Sequence, residues 1–373
     1  MILLFCTSIY AQLDSTSIIT EEVLDNVLIE PDVETDSEEL VEILENLIRN
    51  PIDINMVDVF DLSKLPNMDQ QSAQKIIEHR NKFGYFFSPT ELFAIRELDK
   101  ELIESFLPFI KTSRPKDEIE NIGTTSTDSK SFFNKSKLNI RSRVSNDLQN
   151  RDGFTSGKYQ GSKLKSYNRF LYNYDNNYQA GALVEKDPGE LSYTDFTSFH
   201  LQVKDVGVVK NFIAGDFVLE YGQGLALWSP FGFSKGADAV FPVKKRARYL
   251  RPYTSAAEYR YYRGAAAQLS FDDFSLTAFY SNNTFDANID SITGEITSVG
   301  QTGFHRFESE LSKKAASKSK VIGGVLDYKF LSGMNLGVIY YNTSFDNKFE
   351  SSSIYDLSGN NFNYFSAYYE FNF

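Results

Sequence analysis

The stretch Lys137–Ser145, KLNIRSRVS, decides how the larger part of this 373-residue chain is read. Leu138, Ile140 and Val144 fall on one side of an extended backbone, and Lys137, Asn139, Arg141 and Arg143 on the other. That is the period of two of a strand with water on one face and lipid or core on the other. The pattern recurs. Phe199, Leu201 and Val203 alternate with His200, Gln202 and Lys204, and Phe274, Leu276, Ala278 and Tyr280 with Ser275, Thr277 and Ser281. Tyr178, Ala180, Ala182 and Val184 follow the rule, as do Met334, Leu336, Val338 and Tyr340, and finally Phe365, Ala367, Tyr369, Phe371 and Phe373. About ten such runs of roughly 9–12 residues occupy 134–373, near the length a tilted strand needs to cross a bilayer. No stretch approaches the ~18 consecutive apolar residues of a spanning helix, so a membrane crossing would be made by strands.

Two antiparallel architectures use this alternation. A soluble sandwich buries the apolar face and wets the charged one; a transmembrane barrel turns the apolar face to lipid and keeps the polar face in its lumen. Aromatics near strand ends (Tyr172, Tyr174, Tyr261, Tyr262, Tyr340, Tyr341) suit an interfacial girdle and favour the barrel. So does an apolar start, MILLFCTSIYA, which reads as a signal peptide over 1–11. The only cysteine, Cys6, lies inside it, so the exported chain has no disulfide framework, thiolate nucleophile or Cys-ligated zinc.

Charge divides the chain. From Gln12 to Lys130 there are 26 acidic and 11 basic side chains, a net of -15, while the remainder carries 24 and 27. Twenty of the 22 tyrosines lie after residue 130. Residues 12–35 read as an acidic, disordered lead-in. At 36–50 a capping box, Asp36 with Glu39, precedes an apolar stripe of Leu40, Ile43, Leu44 and Leu47, which predicts a helix that packs on something. Residues 113–133 are polar and turn-rich, a linker.

Residues 36–112 resemble the tandem helix-hairpin-helix domain of competence DNA receptors. The frame is Asn55, Leu65-Pro66, Ala73 with Ile76, Arg80, Gly84, Phe86 and Glu91-Leu92. Val59, Leu62, Leu65, Ala73, Ile76 and Ile77 would form its small core. The resemblance implies a DNA-binding module in which a Gly-apolar-Gly hairpin aims backbone N–H groups at phosphate. Here the hairpins read Asn67-Met68-Asp69 and Glu97-Leu98-Asp99, and residues 51–110 hold 10 acidic against 6 basic side chains. Phosphate affinity depends on cations, so this surface disfavours DNA. Lys75 and Arg80, with Lys82, form at most a residual basic edge. The module reads as a fold kept for protein contact.

Between 219 and 256 the alternation lapses. The segment holds the one tryptophan and a basic group, Lys244, Lys245, Arg246, Arg248 and Arg251, and reads as a plug or cap. Those cations either attract an anionic solute or headgroup, or balance lumenal carboxylates such as Glu185, Asp216 and Glu258. Gly222-Gln223-Gly224 lacks the spacing of a phosphate loop and reads as a tight turn. His305, Glu308 and Glu310 offer one imidazole only, and RFESELSKK reads as a short helix with paired charges; no metal or other cofactor is expected. A lumenal His200 without a nucleophile signature gives no catalytic residues.

The stretches GDFVLEYGQGLALWSPFGFSKGADA, LRPYTSAAEYRYYRGAA and TGFHRFESELSKK resemble helix-hairpin-helix-containing outer-membrane barrel proteins of Bacteroidetes-type bacteria. The family's members are longer, which implies a barrel that is incomplete within this chain. The expected fold class is therefore multi-domain: a small all-α helix-hairpin-helix domain, then an antiparallel transmembrane β-barrel. The expected setting is the outer membrane with a periplasmic N-terminal domain, outer-membrane lipid and an envelope protein as partners, and a non-enzymatic part in transport or assembly. A DNA-uptake receptor is the alternative, and a barrel hydrolase the third.

Overall fold

The computed structural model describes residues 47–48, 51–57, 62, 65, 68, 70–112, 135–175, 177–228, 247–259, 261–330, 334–350 and 358–371. The signal, the lead-in and most of the 36–50 helix lie outside them, as do the linker, Val59, Asn67, Asp69, Lys244, Lys245, Arg246 and Phe373. Two compact units result.

In the N-terminal unit, helix α1 (Gln70–Phe83) ends where Gly84, at φ 94°, donates its N–H to the Arg80 carbonyl. Only a glycine takes that left-handed value cheaply, so the chain turns there. A 3-10 turn (Pro89–Ala94) is capped by Ser88, and helix α2 (Lys100–Phe106) by Asp99. Leu62, Leu65, Ala73, Ile76 and Ile77 are buried with Met68, Phe86, Leu92, Ile103 and Phe106, and Leu47 packs against that core. The unit is not purely helical: strand β1 (Ile52–Asp53) pairs in parallel with β2 (Ile110–Lys111). This corrects the all-α expectation. A two-residue bridge joins the module's start to its end, and two residues are too few to show a period in sequence.

The second unit is an antiparallel meander of ten strands: β3 (Ser136–Asn146), β4 (Leu164–Tyr174), β5 (Tyr178–Lys186), β6 (Phe196–Val206), β7 (Val209–Glu220), β9 (Tyr262–Phe271), β10 (Phe274–Phe285), β13 (Ser317–Phe330), β14 (Met334–Phe349) and β15 (Gly359–Phe371). Three short strands join it. β8 (Tyr249–Pro252) folds back on β7, and the hairpin of β11 (Ala287–Ile289) and β12 (Ile296–Val299) leans on β14. No second sheet covers the meander among the described residues, and β3 and β15 do not pair, so the sheet is open.

Connections sort by end. At one end lie the tight links at 175–177, 207–208, 272–273 and 331–333; at the other lie 147–163, 187–195, 221–261, 286–316 and 350–358. Asp175, Gly207 and Asp272 take positive φ at three of the tight links, as short hairpins demand.

The faces are inverted relative to a soluble sheet. Leu138, Ile140, Val144, Phe199, Leu201, Leu276, Ile322, Val338, Phe365 and Tyr369 are exposed. The other face buries Arg169, Glu185, His200, Gln202, Thr277 and Asp327 among apolar and aromatic groups, and Asp216 and Glu220 are buried on the later half of β7. Of the six girdle tyrosines, Tyr340 faces outward, but Tyr341 is buried and Tyr261 and Tyr262 pack on inward clusters. Consecutive residues of a strand take opposite faces, so Tyr340 and Tyr341 cannot both reach lipid. Tyr172 and Tyr174 share the outward face with Phe170, and at the tight-turn end Tyr174 is joined by Tyr178, Phe271, Phe274, Tyr369 and Phe371.

Candidate functional site

In the N-terminal unit the described frame residues bond to the fold's own backbone. Asn55, buried, donates its amide to the Phe86 carbonyl at 2.8 Å and accepts from the Phe86 N–H at 2.9 Å, closing the fold across 31 residues. Arg80 is engaged within the fold: one guanidinium nitrogen donates to the carbonyls of Ile54 and Val57 at 2.8 and 2.7 Å. Lys75 donates to the Glu97 carbonyl at 3.0 Å. Asp99 accepts the Glu101 N–H at 3.1 Å, so a carboxylate holds the helix terminus that would meet a phosphate. Glu97 is exposed beside it.

The segment after β7 turns over the sheet's inner face. Gly222 and Gly224 have φ of 60° and 76°, the tight turn expected of Gly222-Gln223-Gly224. Tyr221 shares a 2.7 Å hydrogen bond with Thr277 of β10, Tyr341 of β14 donates to the Ala226 carbonyl at 3.0 Å, and Gly222 abuts the Tyr368 ring of β15. One segment reaches three strands, so the sheet curls around it. Arg248 binds Glu220 through two nitrogens at 2.7 and 2.6 Å, and Arg251 joins at 3.1 Å. These two cations therefore balance a buried carboxylate, but Glu220 rather than the three expected; Glu185 is met by Lys165 and Asp216 by Arg263.

The densest chemistry gathers where the long connections meet. His305, nearly sealed from solvent, has Nδ1 2.5 Å from Asp195 Oδ2 and Nε2 2.7 Å from Asp286 Oδ2. Its backbone N–H donates to Glu190 at 3.0 Å, and Lys314 donates to the second Asp195 oxygen at 2.6 Å. Beside them is a cavity of about 120 Å³ lined also by Glu258, Arg263 and Tyr261. Gly303 carries no Cβ because Glu258 lies against it. Glu308 is exposed and Glu310 closes on Arg306 at 2.6 Å, so neither joins His305.

Protonation follows from this geometry. Burial pulls the His305 pKa down, but the Asp195 and Asp286 hydrogen bonds outweigh it and hold the pKa at about 10. Burial likewise opposes ionisation of Asp195 and Asp286, yet His305 keeps both below the usual carboxylate range, with Lys314 assisting at Asp195 and the Ala315 N–H at Asp286. Glu258 has no such donor; burial, then the neighbouring carboxylates, push it up to about 9. Glu190, Asp195 and His305 have the composition of a metal site, with ligand atoms within 4.8 Å of one another. The proton inventory is that of an ion-pair network, because an imidazolium donating from both nitrogens offers no lone pair. A tether between connections 110 residues apart is what the arrangement can do.

His200 is buried, its Nε2 3.1 Å from Gln179 Oε1, and its ring covers Gly181. No serine, cysteine or carboxylate is hydrogen-bonded to it among the described contacts.

A family model for the helix-hairpin-helix motif matches residues 49–111. No curated protein and no solved structure matches the chain.

Proposed function

We propose that this chain is a non-enzymatic outer-membrane β-barrel protein, of the helix-hairpin-helix-containing Bacteroidetes kind, whose periplasmic module docks it in transport or envelope assembly. One observation carries the reading: one face of the sheet is apolar and exposed (Leu138, Ile140, Phe199, Leu201, Ile322, Val338, Phe365), while the opposite face buries charges such as Arg169, Glu185 and Asp327 beside an apolar cluster. In water, exposing that face would leave a large apolar surface wet, whereas acyl chains satisfy it. Two further features support it. Tight turns at one end and long connections at the other match periplasmic and extracellular ends, and β3 starts from the tight-turn end, so the chain arrives from the periplasm. The inner face mixes buried polar groups with an apolar cluster, and the described start of the segment after β7, Tyr221 to Leu227, packs on it, as a plug in a barrel interior would.

Membrane fractionation followed by a gel comparing heated and unheated samples tests this. Recovery in the outer-membrane fraction with a heat-dependent mobility shift is expected; a detergent-free soluble species with no shift overturns it. The second reading, a DNA receptor, is favoured by the motif match alone. With Arg80 and Lys75 engaged and Asp99 on the helix terminus, DNA retardation at low salt should show no complex tighter than about 1 μM, the upper end of ordinary non-specific binding.

A further inference from the structure

The cavity beside His305 is lined by three carboxylates, Asp195, Glu258 and Asp286, and by three cations, Arg263, His305 and Lys314. Both oxygens of Asp195 are engaged: Oδ2 meets His305, and Oδ1 accepts from Lys314 at 2.6 Å. Asp286 is engaged likewise, with Oδ2 on His305 and Oδ1 accepting the Ala315 N–H at 2.8 Å. The cations are committed too. His305 donates from both nitrogens, Asp195 holds Lys314, and Arg263 donates to Asp216 at 2.7 and 2.9 Å and to the Thr197 carbonyl at 2.7 Å. Glu258 is left over. Among the described residues no donor and no ion-pair partner meets its carboxyl group, and the nearest charges are the other carboxylates and an imidazolium already shared between two of them. The cavity lacks one cation.

The fold holds that carboxyl group in place. Glu258 lies against Gly303, where a Cβ would fall 2.8 Å from its Cγ and Cδ. Asp195, Glu258 and His305 come from the connections at 187–195, 221–261 and 286–316, so the cavity exists only where three long connections meet. Phe196, Tyr261 and Phe285 supply the apolar part of its wall. Its volume of about 120 Å³ far exceeds the roughly 10–15 Å³ that one water needs. A buried carboxyl group without a donor gains most from a cation brought beside it, and aromatic walls suit an organic cation. A calcium ion takes about six to eight oxygens, whereas here Asp195 and Asp286 are engaged at every oxygen and His305 offers no lone pair.

We propose that this cavity binds a small organic ammonium ion, a primary alkylamine in its protonated form, with Glu258 as the counter-ion and the aromatic side chains around the alkyl part. The site goes beyond the barrel reading and needs the three connections rather than a bilayer. Burial holds the Glu258 pKa at about 9, so at pH 7 the carboxyl proton passes to solvent as the ammonium takes its place. Calorimetry of the full chain in detergent micelles tests this, with propylammonium chloride titrated at pH 7 and 1-propanol and calcium chloride as comparisons. Propylammonium should bind with a Kd between about 40 μM, the limit for four non-hydrogen atoms, and about 10 mM. The apparent enthalpy should vary with the ionisation enthalpy of the buffer as one proton released per ion bound, a signature that needs no variant. Glu258→Gln, which keeps the shape of a group uncharged at pH 7, should weaken binding about 30-fold or more and abolish the proton release. Absence of binding by about 10 mM overturns the proposal, as does binding without proton release. Unchanged binding in a Glu258→Gln variant whose strand circular dichroism is intact overturns it and places the ammonium elsewhere. Equal affinity for 1-propanol overturns it in favour of an apolar cavity, and calcium that displaces propylammonium overturns it in favour of a metal site.

Discussion

Replacing Leu201 by arginine separates a lipid-facing sheet from a water-facing one. Leu201 is the sixth of the eleven residues of β6 and is 59% exposed. Eleven residues rising about 3.3 Å each and tilted about 40° span roughly 25 Å, the height of a barrel's apolar band, so Leu201 falls near its middle. Its ladder partners are Ala180 and Ala214, and its neighbours on the same face are Phe199 and Val203; the carboxylate next along that ladder, Asp216, is already held by Arg263 at 2.7 Å. At such a midplane position arginine costs about 2–4 kcal/mol, or roughly 30- to 700-fold in the folded population. On a wet surface the same change stays within about 0.5 kcal/mol. Urea titration of the protein in phospholipid vesicles reads the difference, with Leu201→Ala as a control for lost apolar area. A Leu201→Arg midpoint equal to that of the alanine control would refute the assignment of this face to lipid.

Four other outcomes are expected. Raising pH from 7 to 10 should loosen the connection around His305: its folded pKa of about 10 lies above the unfolded value, so its contribution is full below about 6.5 and lost as pH climbs through 10. Glu258 acts in the same direction: burial raises its folded pKa to about 9, so its share is lost progressively above the ordinary carboxylate pKa and is gone by about 9, and Glu258→Gln should remove that pH dependence; tryptic cleavage after Arg306, Lys313 and Lys314 reports both. Arg80→Ala should lower the module's melting point, since two backbone carbonyls lose a charged donor worth about 1.5–3 kcal/mol each before water replaces it, and DNA retardation should not change. Gly181→Ala should destabilise the sheet by about 1–3 kcal/mol, because its methyl group would meet the His200 ring; adding His200→Ala should recover part of that loss, a negative coupling that a double-mutant cycle measures. Asn55→Ala should cost about 2–4 kcal/mol by orphaning both polar groups of Phe86, visible as early loss of helical signal.

Much of the fold could be read from the chain itself, because a strand's faces are set by residue parity. Leu138, Ile140 and Val144, or Phe199 and Leu201, needed no partner to declare that they share a side, and the count of about ten runs agrees with the ten-strand meander. The helix-hairpin-helix core was legible for a similar reason: spacing on one helix face selected Ala73, Ile76 and Ile77. The girdle failed where parity was overlooked, since Tyr340 and Tyr341 are neighbours. Arg80 was assigned to a surface edge because its partners, two backbone carbonyls, leave no trace in residue identity.

By itself, then, the sequence determined periodicity: which residues sit together on a face, and where helices give way to strands. Tertiary structure alone decided which charges meet. Asp195 and His305 are 110 residues apart, and Glu220 captures Arg248 and Arg251 only because β8 doubles back along β7. Face and period are properties of a few consecutive bonds, whereas an ion pair between distant loops depends on how the whole sheet curls, and no local pattern encodes that curvature.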